Sequence, residues 1–172
     1  MAGSTFTVTR SGLVHAPIDA VAAALANLRD WPSWSPWHDL DPNQTLTYGG
    51  PDSGVGATSA WKGNRKVGQG SMEITHADSD RVVVDLHFIK PFRADNVATF
   101  ALSPAGDTSN SSPAGDTSNS SRAGDTTNVS WSMTGPRNLL MKLMGLIMNF
   151  DKRIGADFEK GLARLDSHLS PR

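Results

Sequence analysis

The chain has 172 residues, the size of one domain, and 38% of them are apolar; with 16 glycines beside them it matches ordinary globular composition and can bury a core. Sixteen Lys and Arg against 17 Asp and Glu give a formal charge of −1, without the basic excess that a nucleic-acid or anionic-membrane binder carries, so no nucleic-acid partner is expected. The lack of cysteine excludes disulfides, thiolate nucleophiles and cysteine-ligated zinc, and it fits a reducing compartment.

In chain order, Phe6–Val14 is β-branched and partly alternating, which predicts a strand, and Ala16–Asn27 follows as a helix with Pro17 near its start and Ile18, Val21, Ala22 and Leu25 on one face. Prolines at 32 and 36 keep Trp31–Trp37 from staying helical, so this stretch is a compact turn or a single helical turn carrying three indoles. Short extended pieces come next at Thr45–Tyr48 and Ala57–Lys62, separated by glycines. Val67–His76, Arg81–Ile89 and Asn96–Leu102 read as three more strands. In the middle one Val82, Val84, Leu86 and Phe88 share a face that should point inward, which sends Asp85 and His87 outward. After a last strand at Asn128–Met133, a helix is expected from Asn138 to Leu169 with the stripe Leu143, Ile147, Phe150, Ile154, Phe158, Leu162 and Leu165. Arg153 and Asp157, four apart, fall on its wet side.

Residues 103–129 form a nine-residue tandem repeat, SPAGDTSNS twice and then SRAGDTTNV. Val129 is its only large apolar side chain, so the units cannot stack as a solenoid, and the segment is an expanded hairpin loop between the last two strands. One acid per unit is too sparse for calcium.

Chemistry is thinly signalled. The glycine-rich Gly54–Ser59 lacks a dinucleotide-binding spacing, no phosphate-binding loop or nucleophile elbow occurs, and His38-Asp39-x-Asp41 is the only local cluster of metal-ligand types. No catalytic residue, metal or cofactor is assigned. The inward positions carry apolar bulk instead. The segment Leu139–Met148 is apolar nearly all round and holds Met141, Met144 and Met148, whose flexible thioethers suit a variable guest. The indoles at 31, 34 and 37 form either a lid or contact patch, or a small core under the loop.

Seven pieces in order resemble the START-like, or SRPBCC, superfamily and its polyketide cyclase/dehydrase-like branch. They are Val14–Val21, Trp31-x-x-Trp34-Ser-Pro-Trp37, Gly54–Ala57 with Trp61–Asn64, Gly68–Ile74, Asp85–Phe92, Trp131–Gly135 and Gly155–Leu162. The repeat departs from that pattern. The resemblance implies an α+β helix-grip fold across residues 1–172, a curved antiparallel sheet of about seven strands wrapped around a long C-terminal helix, with a short helical segment after the first strand. It also implies an apolar cavity that holds a hydrophobic small molecule such as a lipid, polyketide or aromatic. The expected wall is Trp37, Trp61, Phe88, Phe100, Trp131, Met141, Met144 and Met148. An aromatic cyclase or dehydratase is the alternative, with His38, Asp39 or Tyr48 near the cavity mouth. A protein-interaction module built on the Trp-rich turn and Met-rich helix is a third reading, a second copy of the chain being one partner for it. No run approaches the ~18 apolar residues of a membrane span, and the start lacks the basic-then-apolar order of a signal peptide, so no transmembrane segment and a cytoplasmic location are expected.

Overall fold

The computed structural model describes residues 4–105, 126–137 and 150–171. Among them seven strands form one curved sheet: β1 (Thr5–Val14), β2 (Thr45–Gly49), β3 (Thr58–Lys62), β4 (Gln69–Ala77), β5 (Arg81–Lys90), β6 (Ala94–Pro104) and β7 (Thr127–Pro136). The order is β1-β7-β6-β5-β4-β3-β2, and every neighbouring pair is antiparallel. The sheet therefore places the first strand beside the last, pairing Thr5 with Pro136 and Val14 with Thr127.

Period-two alternation decides which face is covered. On β5, Val82 and Val84 are buried while His87 and Ile89 are exposed. On β6 the buried set is Ala94, Asn96, Ala98, Phe100 and Leu102, and on β7 it is Thr127, Val129, Trp131, Met133 and Gly135. Thr127 is the polar member, and its hydroxyl donates to the Ala16 carbonyl at 2.8 Å.

Helix α1 (Ile18–Leu25) buries Val21, Ala24 and Leu25, one side of two turns. It begins two residues later than the sequence pattern suggests, because Ala16 N–H still bonds Val14 and Pro17 sits at φ −59° and ψ 148°, outside the helical region. The Trp-rich stretch splits into a single turn, α2 (Trp31–Trp34), and a 3-10 turn at Pro36–Leu40, with extended Ser35 and Pro36 marking the break.

The C-terminal helix α3 (Phe150–Leu169) covers the sheet with Ile154 half-buried and Phe158, Leu162 and Leu165 buried. Its ring at 158 stacks on Trp131, centroids 4.2 Å apart and planes within 7°. Gly161 permits that approach, since a Cβ there would lie 2.8 Å from the Trp131 ring. Polar groups on and just after β1 hold the described helix at two places. Arg10 reaches Asp151 at 2.9 Å and Glu159 at 3.5 Å, while the backbone N–H of His15 donates to Asp166 at 2.7 Å and its ring nitrogen lies 2.9 Å from the same oxygen. Burial pushes the Asp166 carboxyl up, but these bonds and that from the Ser170 hydroxyl outweigh it and hold the group below its usual range.

Both ends of the nine-residue repeat are strand: Ser103 and Pro104 pair with Asn128 and Thr127, and Ala105 N–H donates to Thr126. The rest of the expected hairpin loop, and the expected helical segment 138–149, lie outside the described residues.

Candidate functional site

A cavity of about 600 Å³ opens between the sheet, the two short turns after α1, and α3. This is the size range of small-molecule pockets. Strand β5 contributes Leu86 and Phe88, the inward positions nearest its end, and β4 contributes Met72 opposite Leu86. From β7 come Trp131 and Met133, and from α3 Ile154 and Phe158.

The expected wall residues divide into three groups. Trp37, Trp61, Phe88 and Trp131 line the cavity. Trp37 meets Trp131 edge-on at 5.6 Å and 90°. Trp61 meets Phe88 edge-on at 5.6 Å, and its indole N–H donates to the Val67 carbonyl at 3.0 Å. Gly70, on the neighbouring strand, is the seat of that indole: a Cβ there would lie 2.4 Å from Cζ2. Phe100 is inward but stands behind the wall, fully buried, with Trp31 at 5.8 Å, Trp34 at 6.2 Å and Trp131 at 4.9 Å. The two indoles of α2 cover it, which its own strand pattern does not reveal. Met141, Met144 and Met148 lie outside the described residues.

The indoles at 31, 34 and 37 are not a surface patch. Trp34 is fully buried, Trp31 is 7% exposed, with its N–H donated to Leu25, and Trp37 is half-buried against the core. The three-residue step places the first two on one side of a single turn, packed on Phe100.

Polar groups on the lining include His38, Gln44 and Tyr48 beside the Trp-rich turn. His38 receives the Gln44 side-chain amide at 3.3 Å. Tyr48 lies under the Arg29 guanidinium, 4.7 Å from its ring centre, and burial raises its hydroxyl above the usual range against the pull of that cation. Asp39 is off the lining: it is bonded to Arg164 and lies 3.9 Å from Lys160, and the Arg164 bond in particular holds it below the usual carboxylate range. Asp41 accepts from the backbone N–H groups of Asn43 and Asn64. The cluster His38-Asp39-x-Asp41 is thus divided among three sets of partners. On the outer face His87 pairs with Asp95 at 2.7 Å, away from the lining.

Several lining residues escape the sequence reading. Asn96 is 5% exposed; among the described residues its amide nitrogen finds only the Met133 sulfur, at 3.8 Å, and neither its oxygen nor the buried Trp131 N–H has a hydrogen-bond partner. Arg153 and Asp157, placed on the wet side of the helix by spacing, both line the cavity and form no ion pair with one another among the described residues. Arg65, Lys66 and Lys90 also line the cavity, beside exposed Leu40 and Phe92.

No family model matches the chain. No curated protein matches it in sequence either. Solved structures do match in shape. The major latex-like protein 151 from Panax ginseng is similar with a TM-score of 0.62 at 13% identity, covering 98% of this chain and all of its own. Protein CV1439 from Chromobacterium violaceum gives 0.61 at 13%, covering 96% and 99%. Norcoclaurine synthase from Thalictrum flavum, solved with dopamine and hydroxybenzaldehyde, gives 0.58 at 14%, covering 99% and 91%. With its seven antiparallel strands curved about α3, the chain has the helix-grip fold of the START-like, or SRPBCC, proteins.

Proposed function

We propose that this protein binds a hydrophobic small molecule, a lipid, polyketide or aromatic, in the cavity between sheet and helix. The observation that carries the reading is a hollow of about 600 Å³ walled by Trp37, Trp61, Met72, Phe88, Trp131 and Phe158. Apolar surface of that extent gains about 25 cal/mol for each Å² a guest removes from water. The Asn96 oxygen and Trp131 N–H, buried without a partner among the described residues, add a second reason. Each costs about 1–3 kcal/mol while unsatisfied, and a guest with a hydroxyl or carbonyl group offers the missing partner.

The test is titration with neutral apolar probes, a long-chain alcohol, a sterol and an aromatic ketone, followed by tryptophan emission. A saturable change that shrinks in Trp61→Phe is expected. No saturable response to any of the three overturns the reading.

A second reading, an aromatic cyclase or dehydratase, is favoured by the presence of His38 and Tyr48 on the lining. The neighbour solved with two small aromatic molecules is a synthase. Here the raised Tyr48 hydroxyl would remain protonated as an acid, and His38, whose Nδ1 accepts the Gln44 amide, would present its Nε2–H to a developing oxyanion. Turnover of a poly-β-ketone analogue that falls at least about 100-fold in both Tyr48→Phe and His38→Gln supports it; no turnover, or turnover indifferent to both changes, removes it. The interaction-module reading is left with its Met-rich helix, outside the described residues, because Trp31 and Trp34 are buried and Trp37 is half-buried.

A further inference from the structure

The chain as a whole is slightly acidic, at −1, yet among the described residues the cavity lining holds Arg65, Lys66, Lys90 and Arg153 against one carboxylate, that of Asp157. All four cations are exposed residues that also line the hollow, which puts them at its mouth. Among the described residues none of the four is in an ion pair, whereas Arg10, Arg29, Lys160 and Arg164 all are. Three chain segments bring them together. Arg65 and Lys66 sit on the β3–β4 loop, and Lys90 ends β5, where it pairs with Gln69 at the start of β4. The two connections touch: Gly68, at φ +67°, leaves only 2.1 Å between the place of a Cβ and the Lys90 carbonyl oxygen. Arg153 comes from the first turn of α3. Exposed Leu40 and Phe92 stand on the same mouth.

Inside, the wall is aromatic and aliphatic; at the opening it is cationic. We infer that the ligand is an anionic amphiphile, its apolar body among Trp61, Phe88 and Trp131 and its carboxylate or phosphate head held at the mouth by Arg65, Lys66, Lys90 and Arg153. This rests on the cavity reading above and specifies its ligand. Guanidinium and ammonium groups donate charge-assisted hydrogen bonds to such a head, and the exposed setting keeps them hydrated until it arrives. The head itself stays in water, so only the tail crosses into the apolar space and no charge is buried.

The test compares three probes of one chain length, dodecanoate, 1-dodecanol and dodecyltrimethylammonium, by calorimetry below their micellar concentrations. Dodecanoate should bind at least about tenfold more tightly than dodecanol, with the cationic probe weakest. The preference should shrink between low and high salt as the exposed charges are screened. In the variant Arg65→Gln, Lys66→Gln, Lys90→Gln, Arg153→Gln it should fall to within about twofold while dodecanol affinity is kept; Asp157→Asn should strengthen dodecanoate. Dodecanol and dodecanoate binding equally, in wild type at low salt, overturns the anionic head and leaves the cavity reading standing. Failure of all three probes overturns the anionic amphiphile, and it overturns the cavity reading too when the sterol and the aromatic ketone also give no saturable response. A vesicle arm separates a free amphiphile from a membrane surface. Sedimentation with anionic phosphatidylserine vesicles, but not phosphatidylcholine, together with no dodecanoate preference would mean that the cations read a bilayer and would also overturn the proposal.

Discussion

Trp61 is held by what its neighbour lacks. Gly70 leaves room for the indole, and the Val67 carbonyl takes its N–H. In Gly70→Ala the new methyl would meet Cζ2 at 2.4 Å and the His87 carbonyl oxygen at 2.6 Å, so the ring must leave its seat. A loss of about 1–3 kcal/mol is expected, measured by urea unfolding, and the emission response to dodecanol should weaken in the same variant; an unchanged unfolding midpoint would show that the seat is not tight. Single residues were unequally legible in the sequence. Alternation along β5 is enough to turn Phe88 in and His87 out, because a one-residue slip would expose Val82, Val84, Leu86 and Phe88 together. Phe100 obeys the same alternation yet is not wall, since what covers it arrives from α2, some 70 positions away in the chain. The four cations were illegible for the same reason: only the loop and strand ends at 65, 66 and 90 and a helix turn at 153, once folded, make them a group.

At the scale of elements, the 3-10 turn that carries Trp37 is fastened to α3 through Asp39, bonded to Arg164 and near Lys160. The folded Asp39 carboxyl is depressed by that bond, and Asp166, two residues beyond Arg164 on the same helix, is depressed as well. A depressed carboxylate contributes stability that is fully present above its unfolded value, about 3.9, and is lost as the pH falls through the folded one. Thermal stability should therefore hold from neutrality down to about pH 5 and then decline on further acidification. Asp39→Asn should flatten part of the decline, with a lower melting temperature at pH 7 and a smaller difference at pH 3; the same difference at both values would mean the pair contributes nothing through its charge. The strands and the helical stripe were readable from their periods. The helix face at Arg153 and Asp157 was not, because periodicity separates apolar from polar but cannot tell solvent from the polar margin of a hollow.

At the scale of the whole molecule, the first two units of the repeat add length between β6 and β7. The connection between β6 and β7 spans residues 105–126, and deleting Ser103–Ser120 shortens it by 18 positions in register, Ser121 and Arg122 taking the places of Ser103 and Pro104. Closing a loop that is over two doublings shorter should gain about 1–1.5 kcal/mol. Denaturant unfolding of the deletion variant checks this, and a loss of several kcal/mol would show that the repeat packs.

The pairing of β1 with β7 carries a consequence for how the chain is born. Val14 finds Thr127, and Thr5 finds Pro136, only after more than a hundred further residues have been made. At about 5–20 residues per second the first strand leaves the ribosome and waits roughly 6–25 s for its partner. In that interval Val8 and Val14, later buried, have neither strand nor α3 over them. The sheet must therefore grow from its other members, β2 through β6, whose contacts are each local hairpins, and β1 joins last, by a closure of high contact order. Nascent chains arrested at residue 126 should accordingly be cut by protease within β1 while β4 and β5 resist, and chains released at full length should be protected in all three.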